Sequence, residues 1–196
     1  MTTNFFETNS YFIDEKVNIL KFENAYQVYD DKGQLIGSIR QKLTGGQKIL
    51  RLLLNKAMLP FTLEVKDNNE NLLSSIHRGW TFFMSKIVLK DSNGLEIGAI
   101  KQKFKFLKPR FEIFDTNQKL VAVIAGDWKA WNFTIKNSTE AQIGTISKKW
   151  AGAMKEVFTT ADKYNVNIES DFANETSKVL VVSSAITIDM VLKEAK

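Results

Sequence analysis

A row of basic side chains offers the clearest binding chemistry in this chain. The segment KQKFKFLKPR, residues 101–110, alternates basic with other residues. In a β-strand such alternation places every second side chain on one face, so we expect a ladder of positive charge facing solvent, with Phe104 and Phe106 facing inward. Its members are Lys101, Lys103, Lys105, Lys108 and Arg110. Such a ladder binds phosphates of anionic lipid headgroups or of nucleic acid. A solubilising outer strand face is the other interpretation.

Catalytic chemistry finds little support in the sequence. The chain has no cysteine and a single histidine, His77, which excludes a thiol nucleophile, a disulfide and a thiolate metal site. No nucleophile elbow, zinc-protease motif or glycine-rich phosphate loop occurs. We therefore predict that the protein is not an enzyme. We interpret His77 as a surface or packing residue.

Composition adds a bias in charge and in location. The formal net charge of +5 favours anionic partners. The first residues carry no basic segment followed by an apolar run, so we expect no secretory signal. Without a signal or cysteines, a cytoplasmic location is expected, and peripheral association with a membrane stays open.

Five segments with the same internal spacing indicate a repeat of β-hairpins. Each is anchored on an Asp or Asn that precedes turn-forming residues: Asp30, Asp67, Asp91, Asp115 and Asn137. Large apolar residues stand two and four positions before each anchor, which is the alternation of a half-buried strand. Seven positions after the anchor comes a small residue, and nine positions after it an isoleucine. These pairs are Gly37 and Ile39, Ser74 and Ile76, Gly98 and Ile100, Ala122 and Ile124, and Gly144 and Ile146.

The last segment predicts a buried helix. Residues 177–195, SKVLVVSSAITIDMVLKEA, are apolar on every side, as in a helix enclosed by a core. Its uncharged run from Val179 to Ile188 is shorter than the ~20 residues of a bilayer crossing, so we expect no transmembrane span. The small and isoleucine columns share one strand face, and we expect this face to enclose the helix through Val181, Ala185 and Ile188.

Together these elements predict a mainly β protein with a closed antiparallel barrel. Ten strands come from the repeats, one lies around residues 11–17, and up to two lie around residues 157–168, which gives about twelve. Closure removes exposed sheet edges. We expect a single domain over residues 1–196 with a central hydrophobic helix at about 176–195. An amphipathic helix is predicted over residues 45–59, and the four tryptophans are interpreted as caps on the barrel ends: Trp80, Trp128, Trp131 and Trp150.

Two motifs and the order of the elements carry a family resemblance. PFTLEVKDNNENLL (residues 60–73) and TADKYNVNIESD (residues 160–171) precede the terminal helix. The chain resembles the phospholipid scramblase and LURP-one-related proteins, which share the Tubby C-terminal-like barrel. The resemblance implies twelve strands around a central helix. It also favours anionic phospholipid or phosphoinositide headgroups, or a protein partner, over nucleic acid.

Transbilayer scrambling of phospholipid is the first alternative that the resemblance leaves open. A ligand site or an enzyme at a barrel mouth is the second, with no recognisable motif behind it. The resemblance implies a calcium site in the acidic segment before the helix, where Asp162 and Asp171 are the weak candidates. Calcium requires six to eight oxygen ligands, typically several carboxylates, whereas Thr160 stands at the first acidic position and Lys163 and Asn165 lie among the others. We therefore expect no cofactor.

Overall fold

The fold is a β-barrel that contains a helix. The computed structural model describes residues 5–16, 25–47, 58–80, 86–105, 108–148, 163–169, 172 and 174–194. The strands of the described part are β1 (Ser10–Lys16), β2 (Ala25–Tyr29), β3 (Leu35–Lys42), β4 (Phe61–Asp67), β5 (Leu72–Arg78), β6 (Lys86–Asp91), β7 (Glu96–Lys105), β8 (Lys108–Asp115), β9 (Leu120–Asp127), β10 (Asn132–Asn137), β11 (Gln142–Ser147) and β12 (Lys163–Ile168). The helices are α1 (Glu175–Ile186) and α2 (Ile188–Glu194).

The sheet closes on itself through its first and last strands. Each strand pairs antiparallel with the next along the chain, and β12 pairs with β1, with Tyr11 opposite Val166. The predicted mainly β, closed antiparallel barrel around a C-terminal helix is thereby confirmed. Closure therefore leaves no edge strand among these twelve.

The five predicted hairpins share one turn geometry. In the first, the Asp30 side chain accepts backbone N–H bonds from Lys32 and Gln34 at 3.0 and 2.8 Å. The other four anchors accept the same pair of bonds from residues two and four positions further on. The residue three positions after each anchor has positive φ: Gly33, Glu70, Gly94, Gln118 and Glu140. This is a three-residue hairpin loop that ends in a left-handed residue.

A β-bulge follows the turn of each of the five hairpins and was not predicted from the sequence. In the first hairpin, Val28 is opposite Gly37 while Tyr29 is opposite Leu35, so Ile36 is the extra residue. The same shift occurs in the other four hairpins. The extra residues are all aliphatic: Ile36, Leu73, Ile97, Val121 and Ile143. Since bulges turn an additional side chain out of alternation, these residues pack against the core near the turns.

The C-terminal helix lies inside the barrel but is interrupted. The side chain of Asn174 caps α1 by accepting the Ser177 N–H at 2.8 Å. At Thr187 the helix breaks, and the Thr187 hydroxyl donates to the carbonyl of Ser183 at 2.6 Å. Such back-bonding by threonine bends helices. The predicted single helix is therefore two segments, and buried polar residues stand among its apolar ones: Ser183, Ser184, Thr187 and Asp189.

The small column makes room for different neighbours at different hairpins. A Cβ built on Gly98 would lie 2.8 Å from a methyl group of Leu180 in α1. Ser74 shares a hydrogen bond of 2.7 Å with Ser183 of the same helix. At Gly37 the close neighbour is instead Phe5. Every residue of the predicted small and isoleucine columns is buried, as are Val181, Ala185 and Ile188.

The remaining predicted elements have mixed outcomes. Residues 45–47 form a helical turn, and residues 48–57 of the predicted amphipathic helix lie outside the described part. Trp131 is buried in the core cluster, and Trp128 packs against it. The capping prediction is wrong for Trp80, which is 56% exposed because it stands beyond the end of β5. Trp150 lies outside the described residues.

We predict that Gly98→Ala destabilises the fold by at least about 3 kcal/mol, the upper end of typical overpacking. The added Cβ would approach the backbone oxygen of Phe114 to 2.3 Å, which no side-chain rotation relieves. Gly79→Ala is the control, because no atom of the described residues lies within 4 Å of a Cβ at that position. Urea unfolding of both variants measures the difference, and equal midpoints would contradict the prediction.

We predict that Gln118→Gly stabilises the protein by about 1 kcal/mol, because a left-handed conformation costs non-glycine residues roughly 1–2 kcal/mol. Gln118 has φ of 61° in the fourth hairpin, and Gly94, at the equivalent position of the third hairpin, has φ of 80°. The reciprocal change Gly94→Ala should destabilise by a similar amount. Thermal or urea unfolding tests both, and the prediction fails if the two changes have the same sign.

Candidate functional site

The predicted ladder lies on the outer surface of three neighbouring strands. On β6, β7 and β8 the apolar residues alternate inward, and the charged residues alternate outward. We call this surface the basic face. Among its described side chains are six cations and two carboxylates: Lys86, Lys90, Lys101, Lys103, Lys108 and Arg110, with Glu96 and Glu112. The side chains of Phe104 and Lys105, and residue Phe106, lie outside the described part.

Strand register places like charges directly opposite one another on this face. Lys86 is the partner of Lys101 across β6 and β7. Lys103 is the partner of Arg110 across β7 and β8. The backbone of Lys105 is opposite that of Lys108 in the same pair. Directly opposed like charges destabilise a sheet. The same register sets Lys101 opposite Glu112 and Lys90 opposite Glu96, so the six described cations share two carboxylates.

Glu112 is the counter-ion at the centre of the basic face. Its carboxylate accepts from Lys103 at 3.0 Å and from the Arg110 guanidinium at 3.1 Å. Partial burial alone would raise the pKa of Glu112, but these two hydrogen bonds outweigh it and hold the pKa below its ordinary value. One carboxylate is thus divided between two cations, and the ammonium of Lys101 lies 4.5 Å from the ring centre of Phe114.

A second polar cluster lies inside the barrel and holds the helix. The hydroxyl of Tyr26 on β2 donates to Asp189 of α2 at 2.5 Å. The hydroxyl of Tyr164 on β12 donates to the Ile186 carbonyl at 2.5 Å, where the helix breaks. Burial, with the charge of Asp189, raises the pKa of both tyrosines well above its usual value. These contacts fix the helix to the β1, β2 and β12 wall.

Within the described part of the chain, several polar groups inside the barrel have no hydrogen-bond partner. The amide of Gln41, the Nε2 of Gln102 and the Nε1 of Trp131 are buried without a hydrogen bond. Gln41 and Gln102 each stand eleven positions after a hairpin anchor, so both point inward near the strand ends away from the turns. In the sequence each of these glutamines is a polar residue on an otherwise apolar strand face, and we did not predict from it a buried polar group.

The ring of the single histidine, His77, lies between two hydroxyl groups. Its Nδ1 lies 3.2 Å from the Thr62 hydroxyl, and its Nε2 lies 2.8 Å from the Ser75 hydroxyl. Burial, together with the charge of Lys90, holds the pKa of His77 below its usual value. The lowered pKa favours the neutral ring, and its contacts fit a packing residue on the outer strand face.

The predicted calcium candidates, Asp162 and Asp171, lie outside the described residues. Within the described part of the chain, no group of three acidic or histidine side chains is placed to hold a metal ion. Lys163, in the predicted segment, forms a buried ion pair with Asp14 at 3.6 Å. Asn165 accepts from Ser147 at 2.9 Å. Both residues thus serve the packing of β12.

A protein-family model described as Scramblase matches residues 13–194, which span the barrel and both helices. The chain belongs to the scramblase family. Its relatives include a phospholipid scramblase family protein of Schizosaccharomyces pombe, 25% identical over 76% of this chain and 42% of that protein. Human phospholipid scramblase 1 is 25% identical over 69% of this chain and 47% of its own length. The scramblase-family chain thus spans about half the length of these relatives.

An X-ray structure of a protein from Arabidopsis thaliana shares the fold of this scramblase-family chain. The TM-score is 0.56 at 8% sequence identity, over 97% of both chains. At that identity the likeness supports the fold alone. In the described part of the chain, no helix combines the length and the hydropathy that a bilayer crossing requires.

We predict that stability falls as pH rises above about 10. The pKa values of Tyr11, Tyr26 and Tyr164 are raised by burial, so the unfolded chain loses these protons first. Each buried tyrosine then lowers the free energy of unfolding by about 1.4 kcal/mol per pH unit. Tyr26→Phe should reduce that slope by about one such step. Urea unfolding at several alkaline pH values measures it, and an unchanged slope would refute the assignment.

Proposed function

We propose that this scramblase-family chain is a non-enzymatic binding module that recognises anionic phospholipid or phosphoinositide headgroups through its basic face. The observation that carries the proposal is the register of β6, β7 and β8, which opposes Lys86 to Lys101 and Lys103 to Arg110. Opposed cations weaken a sheet. A bound phosphate between them would remove that cost, so the arrangement suits an anionic ligand better than it suits stability.

Geometry supports headgroups in preference to a small buried ligand. The basic face is an outward surface of adjacent strands about 4.8 Å apart, and the side chains of Lys86 and Lys103 are more than half exposed. Exposed ammonium groups near an anionic membrane each contribute about 1 kcal/mol of binding. The names of the relatives, which are phospholipid scramblases, agree with a lipid ligand. A protein partner with an acidic surface is the competing ligand.

In the absence of ligand, Glu112 partly neutralises the positive charge of the basic face. It is engaged by Lys103 and Arg110 at once, so an arriving phosphate would compete with it for both cations. On binding, Lys103 and Arg110 would therefore exchange the shared Glu112 carboxylate for a phosphate of the ligand. Charge-assisted bonds to phosphate are among the stronger hydrogen bonds.

Transbilayer lipid movement is the alternative that the names of the relatives raise. One of these relatives is human phospholipid scramblase 1. For this chain, transbilayer lipid movement is a hypothesis. Transfer of fluorescent lipid between leaflets of reconstituted vesicles, with and without calcium, tests it separately from binding.

We predict that the double variant Lys101→Glu, Lys103→Glu binds anionic vesicles at least about 30-fold more weakly, since about 1 kcal/mol is lost per cation. Flotation on phosphatidylcholine vesicles, with and without phosphatidylserine or a phosphoinositide, measures binding. The control is Lys119→Glu, Lys136→Glu, the same charge change at exposed residues near the turns of β9 and β10.

The variant Glu112→Gln should act in the opposite direction and strengthen vesicle binding by about fivefold, because one competing carboxylate is removed. Glu64→Gln is its control on β4, where the carboxylate pairs with Lys42 and Lys66. Absence of lipid-dependent flotation by the unaltered protein would contradict the proposed function. Equal losses in the Lys101/Lys103 and Lys119/Lys136 double variants would show that only net charge matters.

A further inference from the structure

Two large apolar side chains stand exposed at one end of the barrel. Trp80 is 56% exposed and Met58 is 38% exposed. Phe61, where β4 begins, is opposite Arg78, where β5 ends. Met58 precedes Phe61 and Trp80 follows Arg78, so both lie just beyond neighbouring strand ends. We call this end of the barrel the far rim; it is the end opposite the five hairpin turns.

The far rim also carries one end of the basic face. β6 begins at Lys86, β7 ends at Lys105 and β8 begins at Lys108. These positions are the next ones around the barrel after the ends of β4 and β5. Five neighbouring strands spaced about 4.8 Å apart span roughly 19 Å of the rim. Exposed apolar side chains and cations therefore occupy one continuous arc.

This combination fits a membrane interface. Tryptophan prefers the level of the lipid headgroups, where its ring is partly buried and partly solvated. Cations beside it contact the phosphates. At the turn end, Leu95 is more exposed than Trp80, but it lies beside the acidic anchors of the turns. Leu95 thus has Asp91 of its own turn beside it, whereas β6 and β8, which follow Trp80 along the chain, begin at Lys86 and Lys108.

We propose that the barrel binds an anionic membrane surface with its far rim, inserting Trp80 and Met58 between headgroups while Lys86, Lys103, Lys108 and Arg110 contact phosphates. The proposal rests on the proposed function and adds an orientation to it. The barrel axis then points toward the membrane, and the hairpin turns point away from it. In the other arrangement the barrel lies on its side, with the whole basic face against the membrane.

Lys90 discriminates between the two arrangements. It lies on the same outer face of β6 as Lys86, four residues nearer the turns. Four residues correspond to about 13 Å along a strand, which exceeds the Debye length of ~8 Å at physiological ionic strength. In the rim-first arrangement Lys90 is screened from the membrane. In the side-on arrangement it is in contact.

The test is binding of the full chain to vesicles of phosphatidylcholine and phosphatidylserine in a four-to-one ratio. We expect Trp80→Ala and Lys108→Glu each to weaken binding about tenfold. Leu95→Ala, the matched control for Trp80→Ala, should change binding less than about twofold. Lys90→Glu separates the two arrangements, because a lysine farther from the far rim should weaken binding less than Lys108→Glu does. Urea unfolding confirms that each variant is folded.

Quenching of tryptophan fluorescence by brominated lipid supplies a second measurement. The unaltered protein should be quenched on vesicles, and Trp80→Phe should lose most of that quenching. If the unaltered protein binds while Lys90→Glu weakens binding as much as Lys108→Glu, the side-on arrangement is correct and the inference is overturned. Binding that is unaffected by Trp80→Ala, without quenching, also overturns it. If the unaltered protein does not bind, the proposed function itself fails.

Discussion

The fold depends on one geometric constraint, the width of a closed barrel of twelve strands. An eight-stranded barrel is filled by the side chains of its own strands, whereas twelve strands enclose a wider space. An α-helix with side chains is about 10 Å across and occupies that space here. Since closure is only stable when the interior is filled, the helix and the sheet require each other. Leu180 of α1 lies against Gly98 on the wall for this reason.

Filling the barrel with a helix creates a second requirement, because the helix brings polar groups into the core. Ser183 is satisfied by Ser74, and Asp189 is bound by Tyr26. A buried polar group without a partner costs about 1–3 kcal/mol, so these bonds allow few alternative positions of the helix. They fix its rotation and depth more strictly than aliphatic packing does. The helix is thus a positioned structural element, and binding chemistry is left to the outer surface.

The repeated hairpins and the enclosed helix could be predicted from the sequence. The features that depend on contacts between distant segments could not. Five anchors with one spacing were enough to predict hairpins, and the wholly apolar last segment was enough to predict an enclosed helix. The bulge was visible as an aliphatic residue six positions after each anchor, but it was hidden by the stronger alternation around it. The left-handed turn residues Glu70, Gln118 and Glu140 escaped notice because only glycine signals positive φ. The bond from Tyr26 to Asp189 joins residues 163 positions apart, beyond any local pattern.

The basic face shows the same division between pattern and register. Alternation along β7 predicted that Lys101 and Lys103 share a face, and the structure places both outward. It did not predict their partners across the sheet, because register is set by the turns and bulges of two separate hairpins. Only with register known does Lys103 stand opposite Arg110, with Glu112 bound to both. The same register also sets opposite charges against each other, with Lys101 opposite Glu112 and Lys90 opposite Glu96. Six described cations on this wall thus share two carboxylates, and the proposed anionic ligand would supply further negative charge.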